Sequence, residues 1–200
     1  TVRRLRVGFK FELFDNIVFH SEADFDLQRG DYYKRLTDTY IAWAPGKEFT
    51  LTLGKHGIPF TLDGSTSSKS LLTIDRNNLT NNLWFPVEYL PGISASGQLN
   101  NWKYHAGVYS ADSDAEEFGN FDLGQAYIVS LGYDFSTVLG MDEAFLKFDY
   151  VYNELREDNS FSRQLENVAS LNFRLEKAKI GLRGDLSSAR GYNDQSNIWG

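Results

Sequence analysis

The sequence predicts an all-β protein whose antiparallel strands form a transmembrane β-barrel, and three observations support this prediction. Apolar and polar residues alternate over segments of roughly ten residues, the length of a tilted membrane strand. Aromatic residues make up 15% of the chain. Short and long connections alternate between the segments, as in bacterial outer-membrane barrels. From pattern alone a soluble β-sandwich with an aromatic core stays open as the alternative, because alternation within one segment is a weak signal.

Four alternating segments are predicted before residue 57. They are LRVGFKFEL, the segment from Ile17 to Leu27, LTDTYIAWA and FTLTLGKH. The short links FDN and GKE are expected to close the first and second hairpins. In LRVGFKFEL the apolar residues occupy odd positions and the charged residues even ones, so each kind faces one side of a strand.

Residues 57–90 break the alternation, and a connection of this length is usually functional or disordered. Alternation returns in the later segments GISASGQL, WKYHAGVYS, AYIVSLGYDF, FLKFDYVYNE, NVASLNFRLE and AKIGLRGDL. A tight turn is expected at Lys177, and no segment predicts an amphipathic helix. The count is about ten strands. Aromatic residues near strand ends are typical of membrane-interface girdles, and they include Phe14, Tyr40, Trp43, Trp102, Tyr109, Tyr133, Phe135 and Tyr152.

Composition excludes several kinds of function. The net charge of −7 disfavours general nucleic-acid binding, and the absence of cysteine removes disulfide and thiolate chemistry. No nucleophile elbow, phosphate-binding P-loop or zinc motif is present, so we predict neither an enzyme nor a cofactor. The three histidines are not spaced as metal ligands. The stretch DSDAEE offers carboxylates for calcium on an outer loop, but it lacks the spacing of an EF-hand, which favours a solvated acidic loop.

Basic residues recur on the polar faces of the predicted strands. Two interpretations stay open: a basic track through a water-filled bore, or a mixed lumen in which nearby carboxylates offset the cations. The candidate pore-lining residues are Arg4, Arg6, Lys10, Lys103, Arg174 and Arg183.

The long loop contains a pattern that resembles the phosphate-selective porin O and P family. The pattern is a glycine at a strand end, Pro-Phe, an acidic residue, Thr-Ser-Ser-Lys and an acidic-Arg pair. Its members here are Gly54, Pro59, Phe60, Asp63, Thr66, Ser67, Ser68, Lys69, Asp75 and Arg76. The opening RRLRVGFKFELFDN, the strand LTDTYIAW and the ending NIWG also resemble this family, so the likeness spans nearly the whole chain.

The resemblance implies a 16-stranded, commonly trimeric porin of the bacterial outer membrane that lets small anions such as phosphate diffuse passively. This chain would be part of a single barrel domain, 1–200, cut at both ends, with lipid and a homotrimer as partners. Residues 57–82 would fold inward as the constriction loop, where Lys69, Arg76, Ser67 and Ser68 would contact the anion. Carboxylates on the polar faces predict weak selectivity, and a porin for sugars or organic solutes is the alternative.

Overall fold

The computed structural model describes residues 5–27, 32–62, 64–66, 89–112, 114–154, 156, 165–191 and 197–199. Within these ranges the chain forms eleven strands and one short helix. The strands are β1 Leu5–Leu13, β2 Ile17–Phe25, β3 Tyr33–Gly46, β4 Phe49–Gly57, β5 Tyr89–Leu99, β6 Trp102–Ser110, β7 Gln125–Asp134, β8 Glu143–Asn153, β9 Leu165–Lys177, β10 Ile180–Gly191 and β11 Asn197–Trp199. The helix α1, Ser136–Leu139, lies between β7 and β8.

Every strand pairs with its neighbour in sequence. The order β1 to β11 is one antiparallel sheet, with β1 and β11 at its two edges. This confirms the predicted all-β antiparallel fold. The eleventh strand is the three-residue segment that begins at Asn197, within the NIWG ending.

Consecutive links lie at opposite ends of such a sheet, so the sheet has two different rims. One end carries the links 14–16, 47–48, 100–101, 135–142 and 178–179, and we call it the short-turn rim. The other end carries the links 26–32, 58–88, 111–124, 154–164 and 192–196, and we call it the long-loop rim. The short-turn rim has four links of two or three residues and one of eight, and the links at the other rim have five to 31 residues, so short and long links broadly alternate as predicted.

The two faces of the sheet differ in chemistry. Odd-numbered apolar residues of β1 are exposed on one face, with Val7 at 60% and Phe9 at 58% relative accessibility. The opposite face, called the inner face below, carries buried polar side chains such as Asp149, Ser170 and Asn172. An apolar face exposed over a whole sheet is what a lipid-facing barrel surface requires.

Two local expectations from the sequence need correction. Tyr109 is fully buried, and Tyr40 lines a groove on the inner face with His56, so neither tyrosine belongs to an outer aromatic girdle. The reason is strand parity, which places both side chains on the polar side. The last tight turn is Ala178–Lys179, since β9 continues through Lys177. The link between β7 and β8 contains one helical turn.

In the part of the chain that the structure describes, no helix has the length and apolar character needed to cross a membrane.

Candidate functional site

The segment that follows β4 lies against the inner face of distant strands. The Thr61 amide donates to Asp149 Oδ2 at 3.0 Å, and the Leu62 amide donates to Asn172 Oδ1 at 3.3 Å. Asp149 belongs to β8 and Asn172 to β9, which are four and five places from β4 in the sheet order. Residues 58–66 therefore cross the inner side of the sheet. They are the start of the loop predicted over 57–82, of which 63 and 67–82 lie outside the described residues.

A buried ion pair forms the centre of this attachment. Lys147 Nζ lies 2.9 Å from Asp149 Oδ1, and it also donates to the carbonyl oxygen of Pro59 at 2.6 Å. Ser130 Oγ and Asn172 Nδ2 donate to the Asp149 carboxylate as well. A buried charge pair costs much desolvation energy unless further hydrogen bonds satisfy it, and here both partners have them. The pair thus fixes the inward segment to the wall.

An apolar patch on the inner face receives Phe60. This side chain is 2% exposed and belongs to a buried cluster with Ile128, Val151 and Val168, against which Ile58 packs. The three wall residues are directly opposite one another in the registers of β7, β8 and β9. Burying a phenylalanine contributes about 1.5–3 kcal/mol, so Phe60 adds apolar stabilisation to the polar attachment.

Two of the predicted pore-lining arginines are paired with carboxylates. Arg6 Nη1 lies 3.3 Å from Glu22 Oε1 and donates to the Tyr89 hydroxyl at 3.1 Å. Arg174 Nη2 lies 2.6 Å from Glu143 Oε2 and 3.5 Å from Glu176 Oε2. These contacts match the mixed lumen, the second of the two open interpretations.

The other predicted pore-lining cations differ in their surroundings. Lys103 Nζ lies 5.2 Å from the centroid of the Phe145 ring, a cation–π distance. Neither Lys10 nor Arg183 forms an ion pair with any described residue, and both lie on the inner face by strand register. The remaining predicted site residues lie outside the described ranges. They are Arg4, Ser67, Ser68, Lys69 and Arg76.

A chain of hydrogen bonds joins two histidines through a tyrosine on the inner face. His56 Nδ1 is 2.9 Å from the Gly54 carbonyl oxygen, which only accepts, so Nδ1 carries a proton. In the neutral ring Nε2 has one lone pair, which the Ser94 hydroxyl at 2.8 Å and the Tyr109 hydroxyl at 3.1 Å share. Tyr109 in turn accepts from His105 Nε2 at 2.9 Å. Both histidines are thus structural parts of the wall.

Alternation within the predicted strand FLKFDYVYNE puts Lys147 and Asp149 on its polar face, but it does not indicate their role in holding the inward segment. The signal was weak, because the two charges are two residues apart in the aromatic strand FLKFDYVY. Their partners Thr61 and Asn172 are far from them in sequence, so spacing alone gives no indication of the contacts.

Among the described residues, no group of three or more His, Asp or Glu side chains is arranged to hold a metal ion. This also applies to the acidic stretch 111–117, all of which is described except Ser113.

Three features together define the class of outer-membrane β-barrel channels. They are an antiparallel meander with an exposed apolar face, a hydrogen-bonded polar face, and a chain segment folded onto the polar face. The family model for phosphate-selective porin O and P matches residues 1–193. The chain belongs to this family, which is a family of channels and not a class of enzymes. No individual curated protein matches the chain. The family expected from the Pro59-to-Arg76 pattern is thus confirmed.

Proposed function

We propose that this chain is part of a passive diffusion channel of the bacterial outer membrane that admits small hydrophilic solutes and weakly prefers anions such as phosphate. The observation that carries the proposal is the attachment of residues 58–66 to β8 through Asp149 and Lys147 and to β9 through Asn172. A loop that starts there narrows the bore. We further propose that the surrounding partners are membrane lipid and two further copies of the chain.

The weak preference follows from the balance of charges on the inner face. Glu22 and Glu143 lie within ion-pair distance of Arg6 and Arg174, which reduces the field that these arginines present to a solute. We propose that Lys69 and Arg76 set the remaining anion preference, because charge interactions are less screened in a narrow passage than at its mouth. Arginine also suits bidentate contacts with phosphate.

A groove on the inner face favours a second candidate, a channel for sugars or organic solutes. Its volume is about 350 Å³, and its lining includes hydroxyl groups of Tyr40, Thr50 and Thr52 beside Lys10 and Asp38. Hydroxyl groups together with charges of both signs suit neutral or dipolar solutes better than a simple anion.

Single-channel recording of the full-length protein tests the proposal. Under gradients of potassium chloride and potassium phosphate, we expect a reversal potential that indicates weak anion preference. Replacing Lys69 and Arg76 with glutamate should shift it towards cations, whereas Arg163→Glu in the β8–β9 link should shift it less. Equal shifts would assign selectivity to overall charge, and a channel that passes sugars without anion preference would favour the second candidate.

A further inference from the structure

The groove on the inner face exists because the side chains that point inward from β3 and β4 are small. Ala42 and Thr52 are directly opposite each other in the register of the two strands, and Ala44 and Thr50 line the groove beside them. The volume of about 350 Å³ lies at the lower end of the range for sites that bind small organic molecules. The groove is therefore large enough for a small solute.

One end of the groove lies at the point where the chain leaves the sheet. Its lining includes His56 and Gly57, the last two residues of β4, and the inward segment begins with the next residue. His56 is held by hydrogen bonds with the Gly54 carbonyl oxygen at 2.9 Å and with Ser94 Oγ at 2.8 Å. The other end is lined by Thr50, the second residue of β4. A solute that passes the inward segment would therefore meet this groove on the wall of the bore.

Two side chains of opposite charge line the groove, and neither forms an ion pair with a described residue. Lys10 comes from β1 and is exposed on the inner face. Asp38 comes from β3, and its half-buried carboxylate accepts a hydrogen bond from the Gly57 amide. An ammonium group only donates hydrogen bonds, and a carboxylate only accepts them. The groove thus offers a solute both kinds of charged partner.

Hydroxyl groups add uncharged partners to the lining. Thr50, Thr52 and Tyr40 each have a hydroxyl that can donate one hydrogen bond and accept others. The Tyr40 ring lies between two histidine rings, with centroid distances of 5.4 Å to His20 and 6.2 Å to His56. These contacts fix the ring before a solute arrives, which reduces the entropy lost on binding.

This combination of groups suits a neutral sugar better than an anion or an amino acid. Every sugar hydroxyl can both donate and accept, so it can bind an ammonium group, a carboxylate or another hydroxyl. A simple anion would be repelled by the Asp38 carboxylate. An α-amino acid carries its charges on adjacent groups, whereas the strand registers place the Cα atoms of Lys10 and Asp38 about 12 Å apart. The lining therefore favours a solute with polar groups over its whole surface.

We propose that the groove binds a neutral mono- or disaccharide, and that Lys10, Asp38 and Thr52 are its hydrogen-bonding partners. The inference rests on the second candidate under the proposed function, a channel for sugars, and it gives that candidate a binding site. A weak site beside the inward segment raises the local sugar concentration and increases flux when the sugar is scarce.

Equilibrium binding to the full-length protein in micelles of a detergent without a sugar headgroup tests the site independently of transport. Saturation-transfer NMR measures Kd for the probes glucose and sucrose, with glycine and inorganic phosphate for comparison. We expect the sugars to bind, and Ala44→Leu to raise their Kd at least about fivefold because the larger side chain occupies the groove. Ala106→Leu is the matched control, since it adds the same atoms at an exposed position of β6 outside the groove.

Two milder variants keep the test decisive if Ala44→Leu fails to assemble. Thr52→Val removes a hydroxyl and Asp38→Asn removes a charge, and each should raise the sugar Kd about two- to tenfold. Their controls are Thr39→Val, whose hydroxyl lies beside Ser21 and not in the groove, and Glu12→Gln, which removes a negative charge elsewhere on the inner face. Equal effects of the groove variants and their controls would overturn the inference, and so would tighter binding of glycine or phosphate than of either sugar.

Bilayer recording and liposome swelling separate this inference from the proposed function. Sugar binding in a protein that forms channels, with sucrose-driven swelling that Ala44→Leu slows, supports both. Sugar binding that Ala44→Leu weakens, in a protein that passes no solute, supports the groove and rejects the channel. A working channel that binds neither sugar rejects the groove alone.

Discussion

At the scale of single residues, Asp149 is the side chain whose loss should cost most. It is fully buried and is bonded to Lys147, Asn172 and the Thr61 amide. Asp149→Ala leaves Lys147 as an unbalanced buried charge, so we expect a loss of about 3–5 kcal/mol in the free energy of unfolding. Urea unfolding of the intact protein and of Asp149→Ala measures this loss.

The control for this variant is a carboxylate on the same face but in solvent. Glu12→Ala should change the free energy of unfolding by less than about 0.5 kcal/mol, since Glu12 is exposed. Replacing Lys147 and Asp149 together with apolar residues should cost less than Asp149→Ala, because no single buried charge remains. A double variant as unstable as the single one would contradict this account of the pair.

Ala178 gives a stabilising prediction. It has φ of 56°, in the left-handed region that costs an alanine roughly 1–2 kcal/mol, while its amide donates to Asp142 Oδ2 at 2.6 Å. Ala178→Gly keeps that donor and should stabilise the protein by about 0.5–1 kcal/mol. Lys177→Gly, in the preceding strand position, should instead destabilise it. Urea unfolding of both variants provides the comparison, and a loss of stability in Ala178→Gly would count against backbone strain at this turn.

At the scale of elements, the alternation of side chains along β1 predicts which of its residues are accessible to water. Phe9 is exposed on the apolar face, and Lys10 lies on the inner face opposite His20. In the assembled protein, Lys10→Cys should react with a membrane-impermeant thiol reagent, whereas Phe9→Cys should react slowly because lipid covers it. Phe9→Arg should cost about 2–4 kcal/mol if that position is near the bilayer midplane. Faster labelling at position 9 than at position 10 would show that the water-facing and lipid-facing sides of β1 have been assigned the wrong way round.

Sequence alone predicted most elements because strand parity is local. The alternation in LRVGFKFEL and the φ of 52° and 62° at Phe14 and Asp15 in the following turn are properties of neighbouring residues. Contacts between distant elements could not be predicted in this way. Leu36 and Glu116 are 80 residues apart, and neither position carries a pattern that indicates the other. The buried site at Asp149 depends on the same kind of contact.

At the scale of the whole molecule, the chain leaves the sheet after β4 and lies against the polar face of β8 and β9. Residues 58–66 lie on the inner face, and 111–124 lie at the rim where β4 departed. We propose that the first arrangement narrows the passage, while the second gives the Leu36 amide an acceptor in Glu116. Both arrangements give backbone amides side-chain acceptors, which matters because an unpartnered donor in a membrane wall is costly.

Deleting residues 64–74 tests how much of the narrowing this loop supplies. The attachment through Thr61, Asp149 and Lys147 stays intact in the variant, so the barrel should still assemble. We expect a higher single-channel conductance, because resistance in a pore is greatest where it is narrowest. The control is a deletion of 158–162 from the β8–β9 link, which shortens another long connection. It should leave the single-channel conductance nearly unchanged. An assembled 64–74 deletion with the conductance of the intact channel would show that the constriction lies elsewhere, and Lys69 would then lose its proposed role in selectivity.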